Sequence, residues 1–266
     1  MAYVHGYDSR ESLRLQDQAK TLADLLHADT AYPAGSRVLE AGCGVGAQTV
    51  TLAGNSPEAL ITSVDISENA IAEAAEKVSA AGFTNVTFQQ GDLFDLPYPQ
   101  ASFDHVFVCF VLEHLARPIE ALIGLQQLLV PGGTITVIEG DHGSAYFYPP
   151  SQSAEEAIRC QVELQKRAGG NANIGRELYP LLKASGYSSA RVFPRMVYAD
   201  ASRPELARGF TELTFTAMIR GIRESAVSEG LIEAETFDEG IAALQRTTEE
   251  DGVFCYTFFK AVAEKR

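Results

Sequence analysis

Apolar positions along the chain follow two periods, and their alternation sets the expected architecture. Between Arg10 and Ala28, Leu13, Leu15, Ala19, Leu22, Leu25 and Leu26 recur near the spacing of one helix face. Pro33-Ala-Gly35 breaks the chain there. Val38 and Leu39 read as a short buried strand, 47–53 as a helix and 59–64 as a second strand. Ala70, Ile71, Ala74, Ala75 and Val78 make an amphipathic helix that Gly82 closes. Residues 85–90 read as strand three. Residues 104–110 read as strand four, nearly all apolar, as a strand covered on both faces should be. Pro118 opens a helix with Ile119, Leu122, Ile123, Leu125 and Leu129 on its core face, stopped by Pro131-Gly-Gly133 before strand five at 134–138. Strands alternating with helices predict a parallel α/β sheet with helices on both faces.

The rest of the chain is less regular. Residues 139–150 read as a loop carrying an acid pair, a histidine and three aromatics. Helices are expected at 153–166 and 174–185, strand six at 190–198, a helical insertion from Pro204 to about 229, another helix over 233–248, and a last strand at 252–262. The expected segments are an N-terminal arm and helix acting as a lid (1–34), an α/β core (35–200), the insertion (201–250) and the last strand (251–266). Phe210, Leu213, Phe215, Met218 and Ile219 make the insertion either a cap or an oligomer surface, and their plain alternative is packing on the sheet. A homodimer is the assembly expected from that surface.

Candidate chemistry starts where the first strand ends. Glu40 is followed by Gly42, Gly44 and Gly46 at alternate positions, and then by a helix. A strand that turns over glycines into a helix lets a ligand approach bare backbone. Gly42-x-Gly44-x-x-Ala47 satisfies the loose dinucleotide fingerprint. Glu40-x-Gly42-x-Gly44-x-Gly46 equally resembles the first motif of class I S-adenosylmethionine-dependent methyltransferases. Asp65 ends the second strand, where an acid accepts from both hydroxyls of an adenosine ribose. Both readings place an acid there, and capping the following helix is its plainer role. Gly91-Asp92 after strand three separates them: an acid here can accept from an exocyclic amine, with Leu93 on the purine face.

Composition narrows the class without naming a reaction. The chain has 266 residues, 46% hydrophobic and 21% charged, ordinary for a globular protein. Its net charge of −14 argues against a nucleic-acid partner, which needs a basic face. Cys43, Cys109, Cys160 and Cys255 show no metal-ligand spacing, so no metal is expected. No run reads as a signal peptide or reaches membrane-helix length, so no membrane partner and a cytoplasmic location are expected.

Val38-Leu-Glu-Ala-Gly-Cys-Gly-Val-Gly46, Val64-Asp65-Ile-Ser67, Gly91-Asp92, Ser102-Phe-Asp104, Leu112-Glu-His-Leu115 and Leu129-Val-Pro-Gly-Gly-Thr134 together resemble the ordered motifs of class I methyltransferases. The Leu-Glu-His-Leu segment is similar to small-molecule members of the ubiquinone/menaquinone-biosynthesis type. The resemblance implies a Rossmann-like, seven-stranded, mostly parallel sheet with a final antiparallel hairpin, and S-adenosylmethionine as cofactor. It further implies that Gly42, Gly44 and Gly46 line the methionine portion, with Glu40 and Gln48 also among the cofactor contacts. Asp65 and Ile66 would hold the ribose and adenine edge, Asp92 and Leu93 the adenine, and Phe110 and Val111 the floor under the sulfonium. Arg14 or Gln18 could meet the cofactor's carboxylate.

Methyl transfer from a sulfonium is an in-line displacement that needs alignment more than a protein nucleophile. A base is required only where the acceptor atom must lose a proton, and histidine suits that role. His114 and His142 follow strands four and five, with Glu113 and Asp141 beside them. The expected catalytic group is therefore His114, His142, Glu113 and Tyr7, and the expected substrate wall is Tyr3, His5, Asp141 and Tyr146. A small organic molecule accepting methyl on N, O or C is the expected substrate. An NAD(P)-dependent oxidoreductase is the alternative enzyme, weakened by Asp92 and by the lack of a Y-x-x-x-K pair. A non-catalytic S-adenosylmethionine-binding subunit is the third reading.

Overall fold

The computed structural model describes residues 9–266, leaving aside the side chains of 9–13 and 16. Tyr3, His5 and Tyr7 therefore lie outside the described residues. In chain order the elements are α1 (Ser9–His27), β1 (Arg37–Ala41), α2 (Thr49–Asn55), β2 (Leu60–Asp65), α3 (Glu68–Ala80), β3 (Val86–Gln90), β4 (Phe103–Cys109), α4 (Pro118–Leu128) and β5 (Leu129–Tyr148). There follow α5 (Gln152–Arg167), α6 (Leu178–Ala184), β6 (Ser188–Asp200), α7 (Pro204–Leu206), a π-helical stretch (Ala207–Thr216), α8 (Ala217–Gly221), α9 (Arg223–Ser228), α10 (Ala234–Arg246) and β7 (Val253–Glu264).

The strands form one seven-stranded sheet of order β3-β2-β1-β4-β5-β7-β6. β1 to β5 pair in parallel, with Leu39 opposite Thr62 on one side and Val106 on the other. β7 is antiparallel. Gly132 and Lys265 pair at the start of β5, whereas Ser144 meets Thr257 further on, so β7 descends as β5 rises. The compact units of the chain cut across this sheet. One comprises the described residues up to Leu22, Gly140–Ile174 and Pro194–Phe258; the other comprises Ala23–Glu139, Gly175–Phe193 and Phe259–Arg266.

In the second unit, local sequence rules account for the elements. Val38, Leu39, Val106, Phe107 and Val108 are buried, as continuous apolar runs in central parallel strands should be. Ser67 caps α3 by accepting the Ala70 N–H, and Pro118 occupies the first turn of α4, where its missing N–H costs nothing. Lys260 is buried and bonded to Asp29 at 2.6 Å and to the Thr30 hydroxyl, which ties β7 to the end of α1.

The first unit is built on aromatic packing. Phe254, Tyr256 and Phe258 alternate along one face of β7 and stack with Phe210 and Phe215 of the π-helical stretch, with ring centroids 4.7–6.4 Å apart. Phe210, Phe215, Met218 and Ile219 are buried there, while Leu213 is exposed. Phe210 and Phe215 pack on β7, and Met218 meets His142 of β5.

The expected loop at 139–150 is instead mostly strand: β5 runs unbroken to Tyr148. Glycines and polar residues suggested a loop, but the partner strand β7 lies more than 100 residues later and no local pattern announces it. The expected helix at 174–185 is a 3-10 turn, Ile174–Glu177, followed by α6.

Candidate cofactor and catalytic site

The glycine turn is fixed from both sides. The Gly42 and Cys43 N–H groups both donate to the Val64 carbonyl, at 2.8 and 3.0 Å, and the Lys77 ammonium donates to the Val45 carbonyl. The glycines do different work. A β-carbon on Gly42 would lie 2.5 Å from Val111, and one on Gly46 would lie 2.8 Å from the Ala74 backbone of α3. Gly44 has a left-handed φ of +51° and nothing within 4 Å of where a β-carbon would stand. The turn therefore packs through Gly42 and Gly46 and is open at Gly44, which leaves room for a ligand to approach bare backbone.

The acids stand at the strand ends. Asp65 closes β2; one carboxylate oxygen accepts the Gly44 N–H at 2.8 Å and the other the Ser67 N–H at 2.9 Å. It thus fastens the glycine turn to the start of α3, and each oxygen keeps a further lone pair for a hydroxyl donor. Next to it Ile66 is 63% exposed, an apolar surface beside a carboxylate, as a purine edge requires. Asp92 is exposed and accepts the Phe94 N–H at 3.0 Å, with Leu93 half-buried beside it. Glu40 is buried and accepts hydroxyls from Thr49 at 2.8 Å and Ser63 at 2.6 Å. Burial raises its acid to about 7 despite those two bonds. Gln48, placed by sequence on the cofactor, accepts from His27 Nε2 at 2.8 Å.

The carboxyl end of β4 is a strained turn. Phe110 has φ +57°, unusual for a bulky residue, and its N–H donates to the Ile138 carbonyl at 2.9 Å. Val111 and Leu112 donate their N–H groups to Glu139 Oε1 at 3.0 and 2.8 Å. In the 3-10 turn that follows, His114 Nε2 lies 3.6 Å from Glu113 Oε1, beyond hydrogen-bond length. Phe110, Val111, Glu113 and His114 are thus brought together with the glycine turn through Val111.

His142 belongs to the first unit and is buried in a polar cluster that the sequence reading did not contain. Tyr256 Oη lies 2.9 Å from His142 Nδ1, and Met218 Sδ lies 3.3 Å from Nε2. Thioether sulfur is a weak acceptor, so the neutral ring donates from Nε2 and accepts the tyrosine hydroxyl at Nδ1. Gly140 makes this possible, because a β-carbon there would overlap the Tyr256 hydroxyl. Asp141 is also buried, whereas Tyr146 is exposed on β5 with its hydroxyl 3.6 Å from Met196 Sδ. Tyr256 was findable, since it alternates with Phe254 and Phe258 on one face of the last strand. Among the described residues no cluster of His, Cys, Asp and Glu could hold a metal, and no helix is long and apolar enough to cross a membrane.

An open glycine turn, an acid closing β2, an acid after β3 and this sheet order define a class I S-adenosylmethionine-dependent methyltransferase. The chain belongs to the methyltransferase-domain family, whose model matches residues 33–186, more than half of its length. It is 26% identical over 253 residues to 27-O-demethylrifamycin SV methyltransferase of Amycolatopsis mediterranei, covering 92% of this chain and 84% of that one. It is 33% identical over 106 residues to demethylmenaquinone methyltransferase of Listeria monocytogenes, covering 40% of this chain and 45% of that one. Its fold is similar to phosphoethanolamine N-methyltransferase 2 of Haemonchus contortus, with a TM-score of 0.60, 17% identity, and 97% and 58% of the two chains covered. The chain spans 36–63% of the length of several other curated relatives it matches.

Proposed function

We propose that this chain transfers the methyl group of S-adenosylmethionine to an N, O or C atom of a small organic molecule by in-line displacement. The open Gly44 between Asp65 and the Phe110–Val111 turn is the observation that carries the reading. Bound S-adenosylmethionine supplies a methyl on a sulfonium. In this reading the backbone at Gly44 takes the methionine portion, Asp65 the ribose hydroxyls, and Asp92 the adenine amine between Ile66 and Leu93. Phe110 and Val111 form the floor. His114, backed by Glu113, is the proposed base for a hydroxyl acceptor.

The names of its relatives point to oxygen and nitrogen acceptors on small molecules, which supports the substrate class and leaves the acceptor atom open. The test is turnover with S-adenosylmethionine and panels of polyketide-like hydroxyls, quinols and small amines. Success is S-adenosylhomocysteine release with a product heavier by one CH2, slowed by His114→Ala for hydroxyl acceptors. Cofactor binding with no methylated product from any panel would favour the non-catalytic reading.

A further inference from the structure

Glu139 ends the parallel part of β5 and its side chain is fully buried. Its Oε1 accepts the N–H groups of Val111 and Leu112, two successive donors of one turn, and the Glu113 N–H also favours the charged carboxyl. The preceding donor, Phe110 N–H, goes to the Ile138 carbonyl. Two adjacent residues of β5 therefore hold three consecutive N–H groups and keep Phe110 in a left-handed backbone region that persists only where its surroundings impose it. Val111, held this way, packs against Gly42, so the same grip reaches the glycine turn. Glu139 Oε2 is buried without a partner among the described residues. A carboxyl used only for packing would not leave one oxygen bare while the other takes two successive backbone donors.

From this geometry we infer that Glu139 is a positioning residue for methyl transfer: it sets the Phe110–Glu113 turn and, through Val111, the glycine turn that receives the cofactor. The inference rests on the cofactor placement proposed above. Burial first, and then the neighbouring Glu113 carboxylate, push the Glu139 acid well above the usual range. In the neutral form the proton belongs on Oε2, because Oε1 is taken by donors. The working group is then a carbonyl-like acceptor, which glutamine reproduces and an apolar side chain does not.

The test compares Glu139→Gln, Glu139→Leu and Glu139→Asp, the last keeping the acid but shortening its reach. S-adenosylhomocysteine is the probe by calorimetry, beside amide exchange of residues 111–113 in ligand-free protein. Glu139→Gln is expected to keep protection at 111–113 and near wild-type affinity. Glu139→Leu and Glu139→Asp are expected to lose that protection while β1 and β2 keep theirs. A turn in its binding form only about one-tenth of the time weakens apparent affinity about tenfold. Unchanged affinity in Glu139→Leu, or in Glu139→Asp should Glu139→Leu not fold, would overturn the inference. So would a loss in Glu139→Gln equal to theirs. Wild-type protein that does not bind S-adenosylhomocysteine would overturn the cofactor placement instead, and amide exchange would still report whether Glu139 holds the turn.

Discussion

Gly44 and Gly46 both have left-handed backbones, yet alanine at the two positions should fail in different ways. At Gly44 the new β-carbon meets nothing within 4 Å, so the stability cost is the backbone alone, about 1–2 kcal/mol for a left-handed residue. At Gly46 the same backbone cost applies, and the β-carbon also lands 2.8 Å from the Ala74 Cα, which belongs to a helix and cannot swing aside. Overpacking of that kind adds about 1–3 kcal/mol. The totals are about 1–2 kcal/mol for Gly44→Ala and about 2–5 kcal/mol for Gly46→Ala. Urea unfolding of the ligand-free protein measures both. Binding should single out Gly44→Ala, since the open space its β-carbon fills is the space proposed for the cofactor. Titration with S-adenosylhomocysteine is expected to show at least about a tenfold loss for it, equal to about 1.4 kcal/mol. Equal stability losses in the two variants would refute the division of labour between the glycines, and wild-type binding by Gly44→Ala would refute the open approach at that position.

Two further outcomes follow from buried polar groups. Tyr256→Phe removes the hydroxyl bonded to His142 Nδ1 and should cost about 0.5–1.5 kcal/mol in urea unfolding, with a changed His142 ring-nitrogen signal in NMR; no change in that signal would rule out the bond. Burial, helped by the nearby Lys260 ammonium, lowers His27 to about 4 against the raising effect of its bond to Gln48, and its buried Nδ1 has no partner among the described residues. The unfolded chain then binds the proton more readily, so stability is lost as pH falls from 6.5 toward 4, by about 3 kcal/mol at 1.36 kcal/mol per pH unit. Glu40, raised to about 7, acts with the opposite sign: its contribution is complete below pH 4.5 and is lost as pH rises through 7. Urea unfolding across pH should show His27→Gln flattening the acid limb and Glu40→Gln the neutral limb; unchanged limbs would contradict both assignments.

The parallel half of the fold was legible because each strand, turn and helix from Arg37 to Leu128 is decided by neighbours in sequence. Apolar runs, Ser67, Pro118 and the glycines act locally, and the acids of the cofactor motif sit at strand ends that those runs locate. What was hidden depends on partners distant in the chain. β5 extends to Tyr148 because β7 pairs with it, and Tyr256 and Met218 reach His142 across 114 and 76 residues. His27 also reaches the Gln48 side-chain oxygen from outside the local motif. Sequence also could not single out Glu139 from Glu113 and Asp141, since only the folded turn shows which carboxyl receives the N–H groups.

The central claim is that the turn at Gly44, with Asp65 and Asp92, receives S-adenosylmethionine. Calorimetric titration of the wild-type chain with S-adenosylhomocysteine, and separately with NADH, tests it most directly. The account requires saturable binding of one S-adenosylhomocysteine per chain, weakened by Asp92→Ala, and no binding of NADH. NADH binding without S-adenosylhomocysteine binding would contradict it.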